Sequence, residues 1–428
     1  MVSVEAKRLS FFKNFLIEVA EKAPPTCEKN ARRMRHKAPS NGVAIIRARF
    51  FSSLILGNNS MKENFPMLSR RFALSAAALA IALSLSFSLT GCSCLSEKDA
   101  VVSAYEAQGF VRRDLDKVAE DIRIHCEKNV KCTPEIAARD IKDLRAIAAD
   151  EKNPVRPFVL FETLTTDSVY KKDGKWTDER SELHDKSIKA LLSRATKASD
   201  RGERPLLCLT GGGSASGKSL CVEGFLKDAE EKSKATGKPV RLAVIDSDAI
   251  KKDFPEYTQL VHFQIKSAAD QVHGESSILA KAAFDAALQG GYDTLYDGTL
   301  KSPAFAMQLF EKAREHNANI FVRGIFVDPK VAISRVESRL AKTGRAVPCK
   351  IVISSHQGFS RTFPMLIAEL DFKKGDHAEL YSSSPLPGKA PVLIYKDGKV
   401  LDSTLWQKFL EIKDKDLMDY CPVSPNKQ

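Results

Sequence analysis

The chain has 428 residues, 43% of them hydrophobic and 28% charged, which suits two or three globular domains with a sizeable core. Its net charge of +12 is concentrated at one end: residues 1–66 hold 12 Lys/Arg against 5 Asp/Glu, Arg70 and Arg71 add two more positive charges, and residues 72–91 carry none. What remains is near neutral, so a phosphate-backbone partner is not implied and no nucleic acid is expected.

Residues 1–66 are basic, irregular and without clear periodicity, and read as an unstructured or spurious extension, with the true start at Met61 or Met67. Residues 67–92 then carry the parts of a secretory signal: Arg70-Arg71, an apolar run from Phe72 to Leu89, and Leu89-Thr90-Gly91-Cys92. That ending resembles a bacterial lipoprotein signal, which makes Cys92 the expected lipidation site and the membrane an expected partner. An uncleaved anchor and a buried helix are the other readings, since the run is marginally long enough to span a bilayer. Ser69-Arg70-Arg71 is an incomplete twin-arginine pattern. The expected location is a bacterial membrane, with a cytoplasmic fraction as the alternative.

Residues 95–200 read as a charged, helical accessory region. DAVVSAYEAQGFVRRDLDKVAEDIRIHCEKN places apolar residues at helical spacing. Thr133-Pro134-Glu135 is a helix start, with Thr as N-cap and Pro at the first position. Lys171–Trp176 (KKDGKW) predicts a turn between two short strands, and 177–198 a further helix. No chemical constellation stands out; His125 and His184 read as surface or capping residues. The nine cysteines include no C-x-x-C pair, which argues against zinc. Cys126 and Cys132 either close a disulfide in an oxidising compartment or, more simply, are two unpaired thiols in a helical region. SDRGER at 199–204 reads as a linker.

The segment 201–428 changes character. Gly212-Gly213-Ser214-Ala215-Ser216-Gly217-Lys218-Ser219 fits G-x-x-x-x-G-K-[ST], the phosphate-binding loop. PLLCLT before it reads as a buried strand and LCVEGFLKDAEEKSK after it as a helix, which is the context the motif requires. Glycines let backbone N–H groups turn toward an anion, and the helix N-terminus adds partial positive charge. The pattern predicts ATP as ligand, Lys218 on its β- and γ-phosphates and Ser219 on Mg²⁺. Expected strands at 205–210, 241–246, 294–297, 319–327 and 391–395 alternate with helices. The fold class is therefore α/β, a P-loop kinase-like parallel sheet flanked by helices, with ligands at the carboxyl ends of the strands.

Three further clusters fall where chemistry is expected. Asp246 and Asp248 end the second strand; one is a candidate proton acceptor for an attacking hydroxyl, and Asp248 also reads as an N-cap. Asp297 ends the third strand, where a second Mg²⁺ ligand belongs, and Thr299 follows it. Arg335, Arg339 and Arg345 suit a cationic lid over a transferring phosphoryl group.

The succession GGGSASGKS, VIDSDAIKKDFPEY, VHGESS, GGYDTLYDGTL and RLAKTGRAVP resembles the zeta toxin family of P-loop kinases over about 205–400. The resemblance implies phosphorylation of the 3′-hydroxyl of UDP-N-acetylglucosamine and an antitoxin protein as partner. It implies Asp248 as the base, Lys218, Arg339 and Arg345 on the phosphates, and Asp246, Glu275 and Thr299 near the sugar nucleotide. Asp297 stands where some members have Glu. Family members also place a glutamate in the helix after the second strand; Lys281 aligns with that position here, with Glu275 about a turn and a half earlier. The alternative from another class is a membrane-tethered nucleotide-binding lipoprotein without turnover, and a third is a nucleic-acid end kinase.

Overall fold

A computed structural model describes residues 97–343, 347–383 and 389–421; the segment 67–92, with Cys92, and Arg345 lie outside the described residues. Two compact units divide between Arg112 and Arg113. In the first, helix α1 (Glu97–Ala107) stops at Gly109, whose φ of 86° no helix continues. One continuous helix over the DAVVSAY…HCEKN stretch is thereby excluded.

The second unit opens with α2 (Leu115–Glu127), capped by Asp114, and α3 (Pro134–Ala149), capped by Thr133 with Pro134 in the first turn. A disulfide joins Cys126 to Cys132 across the turn between them, so the reading of two unpaired thiols is corrected. Their Cα atoms lie 4.9 Å apart, within reach of a bridge. Two short helices follow, α4 (Arg156–Leu160) and α5 (Thr166–Tyr170). Strands β1 (Lys171–Lys172) and β2 (Lys175–Trp176) then form the expected hairpin, turning through Asp173-Gly174 at positive φ. Helix α6 (Asp178–Leu192) is capped by Thr177.

The remaining elements alternate strand and helix. They run β3 (Leu206–Gly211), α7 (Ser219–Thr236), β4 (Ala243–Asp246), α8 (Ser247–Ile250), α9 (Pro255–His262), α10 (Ala268–Gln271), α11 (His273–Gln289) and β5 (Thr294–Asp297). After these come α12 (Pro303–Glu315), β6 (Asn319–Phe326), α13 (Pro329–Thr343), α14 (Cys349–Ala368), β7 (His377–Ser382), β8 (Val392–Lys396), β9 (Lys399–Val400) and α15 (Ser403–Glu411). Among the described residues one sheet has the order β4-β5-β3-β6-β7-β8-β9. The first five of these are parallel, and β8 and β9 are antiparallel additions at one edge.

Strand β7 is not among the strands expected from the sequence, although it sits inside the sheet. Its Glu379 is buried opposite Arg323 of β6, whose Nε donates to Glu379 Oε2 at 2.8 Å while Nη2 donates to Asp228 of α7 at 2.8 Å. A charged residue thus occupies a core position because its partner is built into the next strand. The larger core joins Leu207, Leu209, Ile245, Phe284, Ile320, Val322 and Phe359; a smaller one under α7 contains Cys208, Phe225 and Leu295.

Buried polar contacts fasten the helices before residue 200 to the sheet domain within this unit. The Arg113 guanidinium donates to the carbonyls of Phe158, Val159 and Phe161, and Gln271 Nε2 donates to those of Phe161 and Leu164. Arg180 of α6 reaches Glu256 of α9 and Glu275 of α11 together, all three being buried. A second disulfide, Cys349–Cys421, ties the start of α14 to the end of the described chain. Among the described residues no helix is long and apolar enough to cross a membrane.

Candidate functional site

The loop Gly212–Lys218 leaves the carboxyl end of β3 and enters α7. Gly212 adopts φ 148°, and a Cβ there would lie 2.4 Å from the Ile325 carbonyl oxygen, so only glycine fits. Gly213 is required for a different reason: a Cβ there would meet the His356 ring at 2.2 Å. Ala215 at φ 59° and Gly217 at φ 101° continue the curl. Ser216 Oγ is buried inside it and, among the described groups, has no hydrogen-bond partner. The N–H groups of Leu220, Cys221 and Val222 in the first turn of α7 donate to the Gly217 and Lys218 carbonyls, and the helix adds the partial positive charge of its N-terminus. A curled backbone, a helix N-terminus and a buried hydroxyl wanting a partner suit a phosphate group.

Neighbouring strands bring the acidic residues alongside. Gly212 N–H donates to the Thr299 carbonyl at 3.2 Å, which ties the phosphate loop to the loop after β5. Asp246 and Asp297 are register partners at the ends of β4 and β5, and Asp297 accepts from Thr210 Oγ1 of β3. Burial, and then the Asp297 charge, push the Asp246 carboxyl above the usual carboxylate range. Asp246 is also the residue that caps α8, accepting from Asp248 N–H at 2.8 Å. The cap expected at Asp248 is thus corrected. Asp248 lies in the first turn with its side chain 48% exposed, and Lys251 Nζ, itself buried, donates to Asp248 Oδ1 at 2.7 Å. Ser219 and Asp297 offer the hard oxygen donors that Mg²⁺ prefers; because that ion keeps waters and takes phosphate oxygens, two protein ligands are enough.

The loop is held from two further sides. From α13, Arg335 Nη1 donates to the Ala215 carbonyl at 3.1 Å and the Ser216 carbonyl at 3.4 Å, and Nη2 donates to Ser383 Oγ at 3.1 Å. From α14, Ser355 Oγ accepts from Ser214 N–H at 2.9 Å and donates to the Val352 carbonyl at 2.7 Å. His356 Nε2 donates to the Ser214 carbonyl at 3.0 Å. Arg339 lies on α13 one turn after Arg335, at a position whose side chain is outside the described residues, as is all of Arg345.

Sequence reasoning missed Ser355 and His356. The available signal was a Ser-Ser-His triplet interrupting an otherwise apolar helix, IVISSHQGF. The structure also gives Glu275 a different setting from the one expected. Its carboxylate is fully buried and accepts from Arg180 Nε at 2.6 Å, Arg180 Nη2 at 2.8 Å and His184 Nε2 at 2.6 Å. Burial acts to raise its pKa, but the hydrogen bonds from His184 and Arg180 hold it below the ordinary carboxylate value. His184, read from the sequence as a surface or capping residue, is one wall of this cluster.

Residues 189–384 match the Zeta toxin family model. A calmodulin calcium-dependent NAD kinase of Arabidopsis thaliana is 27% identical over 240 residues, covering 45% of this chain and 43% of that protein. The chain thus spans under half the length of this curated relative. Among solved structures, the AvrRxo1-ORF1:-ORF2 complex matches at a TM-score of 0.47 and 19% identity, over 60% of this chain and 85% of the other. The PezAT toxin–antitoxin system of Streptococcus pneumoniae matches at a TM-score of 0.39 and 14% identity, over 57% of this chain and 98% of the other. The matched segment, residues 189–384, contains this phosphate loop and the aspartates after β4 and β5, and is thus similar to a zeta toxin-type P-loop kinase domain.

Proposed function

We propose that the protein transfers the γ-phosphoryl group of ATP to a hydroxyl of a nucleotide-type small molecule, with UDP-N-acetylglucosamine as the leading acceptor. The observation that carries this reading is the Asp248 carboxylate: half-exposed, in the first turn of α8 directly after β4, and oriented by the buried ammonium of Lys251. Asp248 takes the proton of the attacking hydroxyl. Lys218 neutralises charge on the β- and γ-phosphates, and Arg339 and Arg345 do the same from the lid. Bound Mg²⁺, held by Ser219 and Asp297, would supply charge neutralisation between the two phosphates. Asp246 and Thr299 flank the acceptor. Glu275 has no part in this reading, since Arg180 and His184 occupy its carboxylate.

A second acceptor is NAD, which the name of the Arabidopsis thaliana relative supports. The family supports an antitoxin protein as partner. A lipoprotein location through Cys92 is proposed alongside, supported by the disulfides Cys126–Cys132 and Cys349–Cys421, which persist in oxidising compartments. Location and reaction constrain each other, because ATP is supplied in the cytoplasm. The test is to incubate the full-length protein with ATP, Mg²⁺ and either UDP-N-acetylglucosamine or NAD, reading the mass of the product. A phosphorylated product that disappears in Lys218→Ala is expected. ATP binding with no product from either acceptor would favour the tethered binding protein, and membrane fractionation of the producing cells would decide the location.

A further inference from the structure

The α14 contacts to Ser214 form a device of their own. Both backbone hydrogen-bonding groups of Ser214, its N–H and its carbonyl, are taken by two consecutive side chains of one helix. A carbonyl only accepts, so His356 Nε2 must carry its hydrogen. Ser355 is equally constrained: its hydroxyl hydrogen goes to the Val352 carbonyl, which leaves a lone pair aimed at Ser214 N–H. Both side chains are almost wholly buried, His356 at 2% and Ser355 at 1% exposure, so neither contact competes with water. Gly213 closes the arrangement, because the His356 ring occupies the space where a side chain there would begin. On the far side of the loop Arg335 holds the next two carbonyls. The loop is therefore gripped at consecutive residues between α13 and α14, the two helices that flank the expected cationic lid.

We propose that Ser355 and His356 are positioning residues for nucleotide binding, fixing the Ser214 peptide so that the later amides of the loop converge on phosphate. The inference rests on the reading of the loop as an ATP site. Neither side chain touches the phosphate; each acts through the backbone it holds. Burial, with Lys218 and Arg335 nearby, keeps the imidazole neutral, its pKa lowered to about 4, which preserves the single donor the carbonyl needs. The consequence is specific. Removing the donor loosens the loop, while a neutral side chain that keeps an N–H near the Nε2 position restores it.

The experiment is calorimetric titration of MgATP into the full-length protein and its His356→Phe, His356→Gln and Ser355→Ala variants. His356→Phe keeps the ring volume and loses the donor; we expect Kd for MgATP to rise about fivefold or more, and His356→Gln to recover most of it. Ser355→Ala should weaken binding by a similar factor. A change under threefold in both His356→Phe and Ser355→Ala overturns the inference, as does His356→Gln binding no better than His356→Phe. Should His356→Phe fail to fold, Ser355→Ala decides by the same threefold criterion. Absence of MgATP binding by the unsubstituted protein would instead overturn the ATP-site reading and this inference with it.

Discussion

Replacing Arg180 by alanine should destabilise the protein far more than a single surface charge would. In the native structure its guanidinium makes four hydrogen bonds, to Glu275 at 2.6 and 2.8 Å and to Glu256 at 3.0 and 3.0 Å. Glu275 is 0% and Glu256 2% exposed, so truncation leaves two buried carboxylates facing one another with no cation between them. Breaking a buried pair in this way costs about 3–5 kcal/mol. His184 still donates to Glu275, and Tyr170 Oη still donates to Glu256 at 2.6 Å, which limits the loss to about 4 kcal/mol. For the Arg113–Gln428 unit, with an unfolding entropy of about 2.1 cal/mol/K per residue, that corresponds to a fall in Tm of roughly 6 °C. Urea unfolding followed by circular dichroism measures it directly. Lys227→Ala is the control: its pair with Glu231 is 75% and 62% exposed, and its loss should cost under about 0.5 kcal/mol. Adding Glu256→Gln and Glu275→Gln to Arg180→Met should recover most of the stability, because no unpaired charge is then left inside. An Arg180→Ala variant no less stable than Lys227→Ala would refute the argument that α6 is fastened to the sheet domain by this cluster.

Other consequences can be checked in parallel. Truncation to residues 201–428 removes both Arg180 and His184 from the buried carboxylates; that fragment should be insoluble or show no cooperative melting transition. Gly213→Ala drives a methyl group into the His356 ring; overpacking of this kind costs about 1–3 kcal/mol, and MgATP affinity should fall with it, both readable by melting with and without nucleotide. Lys218→Ala should abolish phosphoryl transfer, whereas Asp248→Asn should cut kcat by at least about a hundredfold and leave the Kd for MgATP nearly unchanged, as separated by single-turnover kinetics and calorimetry. His356 gives a pH dependence. Its folded pKa of about 4 lies below the ordinary 6.5, burial being the main cause, with the facing Lys218 and Arg335 lowering it further and the Ser214 bond and Asp328 opposing. The unfolded chain therefore binds the proton first: this contribution to stability is complete above about pH 6.5 and is lost as pH falls toward 4, by about 2 kcal/mol at about pH 5. His356→Gln should lack that component of the slope in melting curves taken across this range.

Much of the fold was legible because it follows from local rules. The phosphate loop announced itself through spacing alone, and the strand and helix around it through apolar runs of the right length. Thr133-Pro134 started α3 because a hydroxyl cap and a ring-fixed φ act within a few residues of their own position. The KKDGKW hairpin did so because Asp-Gly tolerates positive φ. What escaped were groups whose meaning depends on a distant partner. His-Ala-Glu-Leu-Tyr-Ser did not read as an interior strand, because Glu379 looks solvent-facing until Arg323 is placed opposite it, 56 residues earlier in the chain. The Cys126–Cys132 bridge stood as one of two readings, the simpler being two unpaired thiols, because spacing alone says nothing about whether two Cβ atoms face one another.

The candidate site divides along the same line. Sequence by itself marked the candidates for chemistry and their order: the loop from Gly212 to Ser219, Asp246 and Asp248, Asp297 and Thr299, and Arg335, Arg339 and Arg345. Those assignments rest on residue type and short spacing, which the chain states openly. Tertiary structure decided which of two adjacent aspartates caps and which stays half-exposed, since that depends on where α8 begins and where Lys251 is buried. It also decided that Glu275 belongs to a buried ion cluster and that a serine and a histidine on α14 grip the phosphate loop. The physical reason is common to each case. A buried charge or an imidazole is defined by its partners, and partners lying 95 residues away, as Arg180 is from Glu275, or 142, as Ser214 is from His356, meet only when the sheet brings their helices together.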